Sequence, residues 1–168
     1  MSEGEGRGST FEVRLPLTSV QRVDDDPLPH LKECPARRVL VVDDNHDAAD
    51  TLGTLLSALG ATVCTVHSGT EAPNVIDNFT PDVVLLDIGM PGMDGYEVAR
   101  RIRTASSAGD AMLIALTGWG QEEDIQHSAV AGFDHHLVKP PDMDKLSKLM
   151  ASHPVVDAAD ARLWIRLF

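Results

Sequence analysis

The feature that most restricts how this chain can fold is a run of four apolar residues, Val83, Val84, Leu85 and Leu86. The run passes straight into a carboxylate, Asp87, and then into the Pro- and Gly-rich loop Ile88-Gly89-Met90-Pro91-Gly92-Met93-Asp94-Gly95. An unbroken apolar run of this length, half of it β-branched, is the pattern of a strand covered on both faces in a parallel sheet. Asp87 then stands at the carboxyl end of a central strand, on the edge where open α/β sheets bind ligands. Alone, such an Asp reads equally well as a solvated loop residue or a helix cap. Three further apolar runs with polar ends shift that balance.

From Arg37 onward, strand and helix patterns alternate. Val39-Leu40-Val41-Val42 ends in Asp43 and Asp44, and Asn45 can cap a helix whose apolar face carries Ala48, Leu52, Leu55, Leu56 and Leu59, with Gly60 at its stop. Ala61 to Val66 reads as the next strand. Ser68 and Glu71 have capping-box spacing, but Pro73 removes a hydrogen bond just beyond, so the second helix should start late or kink. Asp94 can cap a third helix through Val98, Ala99 and Ile102. Met112 to Leu116 is a strand ending at Thr117-Gly118, and Glu122-Glu123-Asp124 suits the first turn of the helix after it. Phe133 to Val138 is a short last strand ending at Lys139-Pro140-Pro141. A final helix carries Met143, Leu146, Leu149 and Met150. Five strands alternating with five helices imply an α/β, doubly wound parallel sheet with right-handed crossovers.

In such a sheet the polar strand ends share one edge, so Asp43, Asp44, Asp87, Thr117 and Lys139 meet despite almost a hundred intervening positions. Crowded carboxylates repel one another, which favours a bound cation. An all-oxygen site that keeps several waters suits magnesium. With the metal bound, Asp87 stays anionic and can attack a phosphoryl group. Lys139 supplies positive charge, and the Thr117 hydroxyl can bind the transferred oxygens.

This set, Val42-Asp43-Asp44, Asp87 with Met90-Pro91-Gly92-Met93-Asp94-Gly95, Thr117-Gly118 and Lys139-Pro140, resembles the receiver domain of two-component response regulators over residues of about 37 to 152. The resemblance implies a flavodoxin-like fold with strand order 2-1-3-4-5. It makes Asp87 the phosphoacceptor and gives magnesium to Asp43, Asp44, Asp87 and the Gly89 carbonyl. Thr117 and Lys139 are left to contact the phosphoryl group. It also implies a cis Lys139–Pro140 peptide. The family's switch aromatic, three residues before the lysine, falls on His136, which acts there either as a mobile, protonatable switch group or as an ordinary strand residue. Trp119 covers the phosphate pocket, serves a partner surface or is an exposed loop aromatic.

The amino terminus carries a second resemblance. Gly4-Glu5-Gly6-Arg7-Gly8-Ser9-Thr10-Phe11 and on to Leu17 looks like the closing Gly-rich box and last strand of a histidine-kinase ATP-binding domain, with Phe11, Val13, Leu15 and Leu17 on one strand face. The expected organisation is a kinase remnant at residues 1–17, a charged, Pro-containing linker at 18–36, the receiver at 37–152 and a tail at 153–168. That tail is apolar at Leu163, Trp164, Ile165, Leu167 and Phe168, suggesting a packed end. The implied whole is a hybrid sensor kinase, although this chain should bind no ATP productively. Its phosphodonor is a histidine kinase or a histidine phosphotransfer domain.

Charge and length narrow the remaining classes. The formal net charge is -12, and from Ala36 to Pro141 there are 15 acidic against 6 basic side chains, an excess that argues against nucleic acid as a direct partner. No apolar run reaches a membrane span, and Cys34 and Cys64 have no metal-ligand spacing, so a cytoplasmic location with reduced thiols is expected. The 29 residues after Lys139 are too few for a DNA-binding output domain, and the chain is expected to be a monomer or weak dimer. A haloacid-dehalogenase-type phosphatase also uses Asp, Thr, Lys and magnesium, but it wants a second Asp two residues after the nucleophile, where Gly89 stands. A stand-alone receiver is compatible with the same residues. A degenerate receiver that serves only to bind protein is disfavoured by the complete acidic set and Lys139. FMN binding is disfavoured by the acidic Asp43-Asp44-Asn45 loop.

Overall fold

The computed structural model describes residues 12–14, 37–104, 108–118 and 122–153. The receiver-like part is built from β1 (Arg38–Val42), α1 (His46–Ala58), β2 (Thr62–Val66), α2 (Ala72–Phe79), β3 (Val83–Asp87), α3 (Gly95–Thr104), β4 (Met112–Thr117), α4 (Glu122–Ala131), β5 (His135–Val138) and α5 (Met143–Ser152). All neighbouring strands pair in parallel, in the order β2-β1-β3-β4-β5. This is the doubly wound parallel sheet that the apolar runs predict, in the flavodoxin-like strand order that the family resemblance implies.

The three central strands are apolar except at a terminal residue because both of their faces are covered. Leu40, Val42, Val84, Leu86, Leu113 and Ala115 point one way, into a core completed by Ile76 of α2 and Val98, Ala99 and Ile102 of α3. Val39, Val41, Val83, Leu85, Ile114 and Leu116 point the other way, against Ala49 and Leu56 of α1 and Leu146 and Met150 of α5. This alternation is the period-two geometry of a strand. It commits every apolar side chain to a core and leaves only the strand ends for chemistry.

The local start signals behave as their chemistry requires. Asn45 accepts from the Ala48 amide at 3.1 Å, Asp94 from Glu97 at 2.8 Å and Asp142 from Lys145 at 3.1 Å, each satisfying an otherwise orphaned donor. The second helix does start late: it begins at Ala72, which brings Pro73 into the first turn, where a missing amide hydrogen costs no helical bond. The Ser68/Glu71 capping box does not form. Ser68 Oγ pairs with Thr70 Oγ1 at 3.1 Å, and Glu71 accepts from the His67 amide at 3.4 Å.

Three details differ from the sequence expectation. The buried face of α1 is Ala49, Gly53 and Leu56, while Ala48 is exposed. At Gly53 a Cβ would stand 2.8 Å from Thr65 Cγ2, so the bare backbone of this face lies against edge strand β2. The last strand begins at His135 rather than at Phe133, whose ring instead fills the core. Residues 12–14, expected inside a strand, are irregular and exposed, and the side chains of Arg14 and Glu12 pair at 2.8 Å. The remainder of the expected kinase remnant and linker, Cys34, Trp119 and the apolar tail beyond residue 153 lie outside the described residues. Cys64 is on β2 as expected, partly buried, and burial pushes its thiol pKa up.

Candidate phosphoryl-transfer site

Asp87 is the last residue of β3 and is buried. Its Oδ1 accepts from the Gly89 amide at 2.9 Å, a short turn that folds the loop back over the carboxylate. The loop is held close by Gly95, where a Cβ would come within 2.3 Å of the Asp87 carbonyl oxygen and 2.8 Å of Ile88 Cα. No side chain fits there. Gly95 therefore sets how near the start of α3 approaches the end of β3. In the sequence this glycine stands only as part of the loop; the signal for its role is a Gly just after a capping Asp, where a helix former is the default.

Register brings the other members in. β1 lies beside β3 with Val42 opposite Leu86, so Asp43 and Asp44 follow at the same edge. Asp43 is buried and its Oδ1 accepts from the Asn45 amide at 3.0 Å, whereas Asp44 is exposed. Asp43, Asp44 and Asp87 each offer a carboxylate oxygen, all within 4.8 Å of one another. That spacing and an all-oxygen donor set fit a small divalent cation. Gly89 reaches the group through its amide.

Lys139 closes the site from β5. Its amide donates to the Thr117 carbonyl at 2.8 Å, extending the β4–β5 pairing past the strand, and the following Lys139–Pro140 peptide is cis. Its ammonium lies 2.6 Å from Asp43 Oδ2 and 2.8 Å from Asp87 Oδ2. Burial disfavours this charge, yet hydrogen bonds to the two carboxylates and their negative charges outweigh it and hold the lysine pKa above its ordinary value. Three carboxylates against one ammonium leave two negative charges for a divalent cation to balance.

Thr117 ends β4 one position beyond Leu116, the neighbour of Asp87 across the sheet, and is buried. Its Oγ1 lies 2.8 Å from His136 Nε2. All five strand-end residues from the sequence analysis thus fall on one rim, and His136 joins them through Thr117.

Comparison with known proteins follows the same residues. Residues 39–151 match the family model described as the response regulator receiver domain. The sensor histidine kinase AtsR of Burkholderia thailandensis is 34% identical over 151 residues, which cover 87% of this chain and 25% of that kinase. The chain therefore spans a quarter of this relative's length. The chemotaxis protein CheY4 of Vibrio cholerae superposes with a TM-score of 0.67 at 28% identity, covering 71% of this chain and all of that one. The receiver domain of sensor histidine kinase PA1611 from Pseudomonas aeruginosa, described with a magnesium ion coordinated in its active site cleft, gives 0.64 at 27% identity over 71% of this chain and 98% of that one. No helix among the described residues is long and apolar enough to cross a membrane.

Proposed function

The chain belongs to the response regulator receiver domain family of two-component systems, and we propose that it is a phosphoacceptor switch in which Asp87 takes a phosphoryl group from a phosphohistidine. The donor is a histidine kinase or a histidine phosphotransfer domain. The observation that carries this reading is the meeting of buried Asp87 with Asp43 and Lys139 at one rim of the sheet.

In the reaction, one oxygen of the Asp87 carboxylate bonds to phosphorus as the bond from phosphorus to the donor imidazole nitrogen breaks. The electron pair stays with that nitrogen, and Asp87 becomes an acyl phosphate. The Gly89 amide and Lys139 hold the carboxylate in one orientation. Lys139 and the Thr117 hydroxyl then meet the charge on the transferred oxygens. Asp43, Asp44, Asp87 and the Gly89 carbonyl would hold magnesium, which when bound offsets the combined negative charge of carboxylates and phosphoryl group.

A hybrid sensor kinase is the parent we assign. The match to AtsR takes in 87% of the chain, more than residue 39 and everything after it contain, so part of the leading segment aligns with that kinase too. The assigned compartment is the cytoplasm, in keeping with two thiols that lack metal-ligand spacing. A phosphatase of the haloacid dehalogenase type has no support at position 89, which has no side chain to act as general acid.

Incubation with acetyl phosphate and magnesium should add one phosphoryl group, read by intact mass, and Asp87→Asn should abolish it. Labelling that survives the substitution places the acceptor elsewhere and removes the reading.

A further inference from the structure

We propose that Gly69 is a positioning residue for the phosphoacceptor site, an inference that rests on the phosphoacceptor reading. Its missing side chain leaves the slot in which the Met93 backbone lies, and so the turn after β2 fixes how the loop between β3 and α3 presents Gly89 to Asp87. A Cβ at Gly69 would stand 2.6 Å from the Met93 carbonyl oxygen, 2.8 Å from Val98 Cγ2 and 3.2 Å from Met93 Cβ. The backbone at Gly69 lies outside the left-handed region, unlike that of Gly92, at a φ of +80° in the facing loop. An alanine could adopt it, so position 69 needs glycine for space and not for conformation.

Which side yields decides what an added methyl would do. The turn is braced: the Asp43 amide donates to the Val66 carbonyl at 3.2 Å before it, the Glu71 amide donates to the Ser68 carbonyl at 3.2 Å across it, and Ala72 after it is fully buried. Val98 of α3 is fully buried in the same core as Ala72. Close-packed groups of this kind have no room to retreat. Met93 is only partly buried and stands between exposed Gly92 and Asp94, so the loop is the side that moves.

That movement reaches the chemistry. The loop begins at Ile88, whose carbonyl accepts from the Gly95 amide at 3.2 Å, so its two ends are pinned together. Between them lies Gly89, whose amide donates to Asp87 Oδ1 at 2.9 Å and whose carbonyl is a proposed magnesium ligand. With the ends fixed, a push on Met93 is taken up by the residues between them, Gly89 included. Gly95 holds the base of the loop against β3, and Gly69 holds its far side against the β2 turn.

Measurements on the full chain test this. In metal-free Gly69→Ala, the amide proton and nitrogen resonances of Gly89 are expected to shift. Magnesium affinity, read by calorimetric titration, is expected to weaken about tenfold, the usual effect of disturbing what orients a metal ligand. Gly53→Ala supplies the comparison: its Cβ meets Thr65 Cγ2 at 2.8 Å, where α1 packs on β2, so it strains the fold without touching the loop. It should lower the melting temperature and leave the Gly89 resonances and the magnesium affinity at wild-type values. Val98→Ala alone should also lower the melting temperature, by opening a cavity. Added to Gly69→Ala it makes room beside the new methyl, so the double variant should regain most of the magnesium affinity, and it is the variant to read if Gly69→Ala alone does not fold. Unchanged Gly89 resonances and affinity in folded Gly69→Ala, equal changes in Gly53→Ala, or no recovery in the double variant overturns the inference while leaving Asp87 as acceptor. If wild-type protein takes no acetyl phosphate label at Asp87, the phosphoacceptor reading falls instead, and the Gly89 resonances alone then decide whether Gly69 sets the loop.

Discussion

The ammonium of Lys139 lies 2.6 Å from Asp43, across 96 positions of sequence, and the same nitrogen reaches Asp87 at 2.8 Å. One side chain thus ties the ends of β1, β3 and β5 together at the rim where phosphoryl chemistry is proposed. Because both carboxylates are buried, this pairing matters more than an exposed ion pair would.

Its pH dependence has a definite sign. A lysine whose pKa is raised on folding contributes stability that is fully present below its unfolded value, about 10.5, and is lost as pH climbs through the higher folded value. In metal-free buffer, Lys139→Met should lower the unfolding free energy by about 1–3 kcal/mol at neutral pH, as expected for a charged hydrogen-bonding group removed from partly buried partners. Urea titrations from neutral to strongly alkaline pH should show that difference constant up to about 10.5 and shrinking above it. A gap that widens with alkalinity contradicts the pairing.

Metal binding should depend on the exposed member of the acidic set. Asp44 has no role in either core cluster, so Asp44→Asn should leave the apoprotein's melting temperature nearly unchanged. In wild-type protein, magnesium at about a hundred times its dissociation constant should add about 2.7 kcal/mol of stability by mass action. In the variant, calorimetric titration should show affinity at least about tenfold weaker, since one hard oxygen charge is gone. Equal affinity in the two proteins would remove Asp44 from the ligand set.

Two glycines next to the site should respond oppositely to the same change. At Gly95 an added Cβ meets backbone atoms at 2.3 and 2.8 Å, which cannot step aside as a flexible side chain does. Gly95→Ala should therefore cost about 1–3 kcal/mol or more and displace Asp87, slowing its phosphorylation. At Gly118 a Cβ meets nothing within 4 Å, so Gly118→Ala should stay within about 0.5 kcal/mol of wild type. Denaturant melts of both variants, with acetyl phosphate labelling, check the contrast.

The composition of the strands was legible from the chain itself. A segment covered on both faces has to be apolar at every position, so Val39–Val42, Val83–Leu86 and Met112–Leu116 announce their burial locally, and the polar residues ending them announce a shared edge. Helix starts were legible for the same reason, since Asn45 and Asp94 satisfy amides only a few residues away. What tertiary structure alone decided is non-local. It includes the turn of α1 that buries Ala49 in place of Ala48, the insertion of Lys139 between two particular carboxylates and the bond between His136 and Thr117. Hydrophobic periodicity records whether a residue is covered but not by what. The choice of partner depends on register between strands far apart in the chain, and on where a glycine such as Gly53 or Gly95 lets one backbone come closer than a side chain would allow.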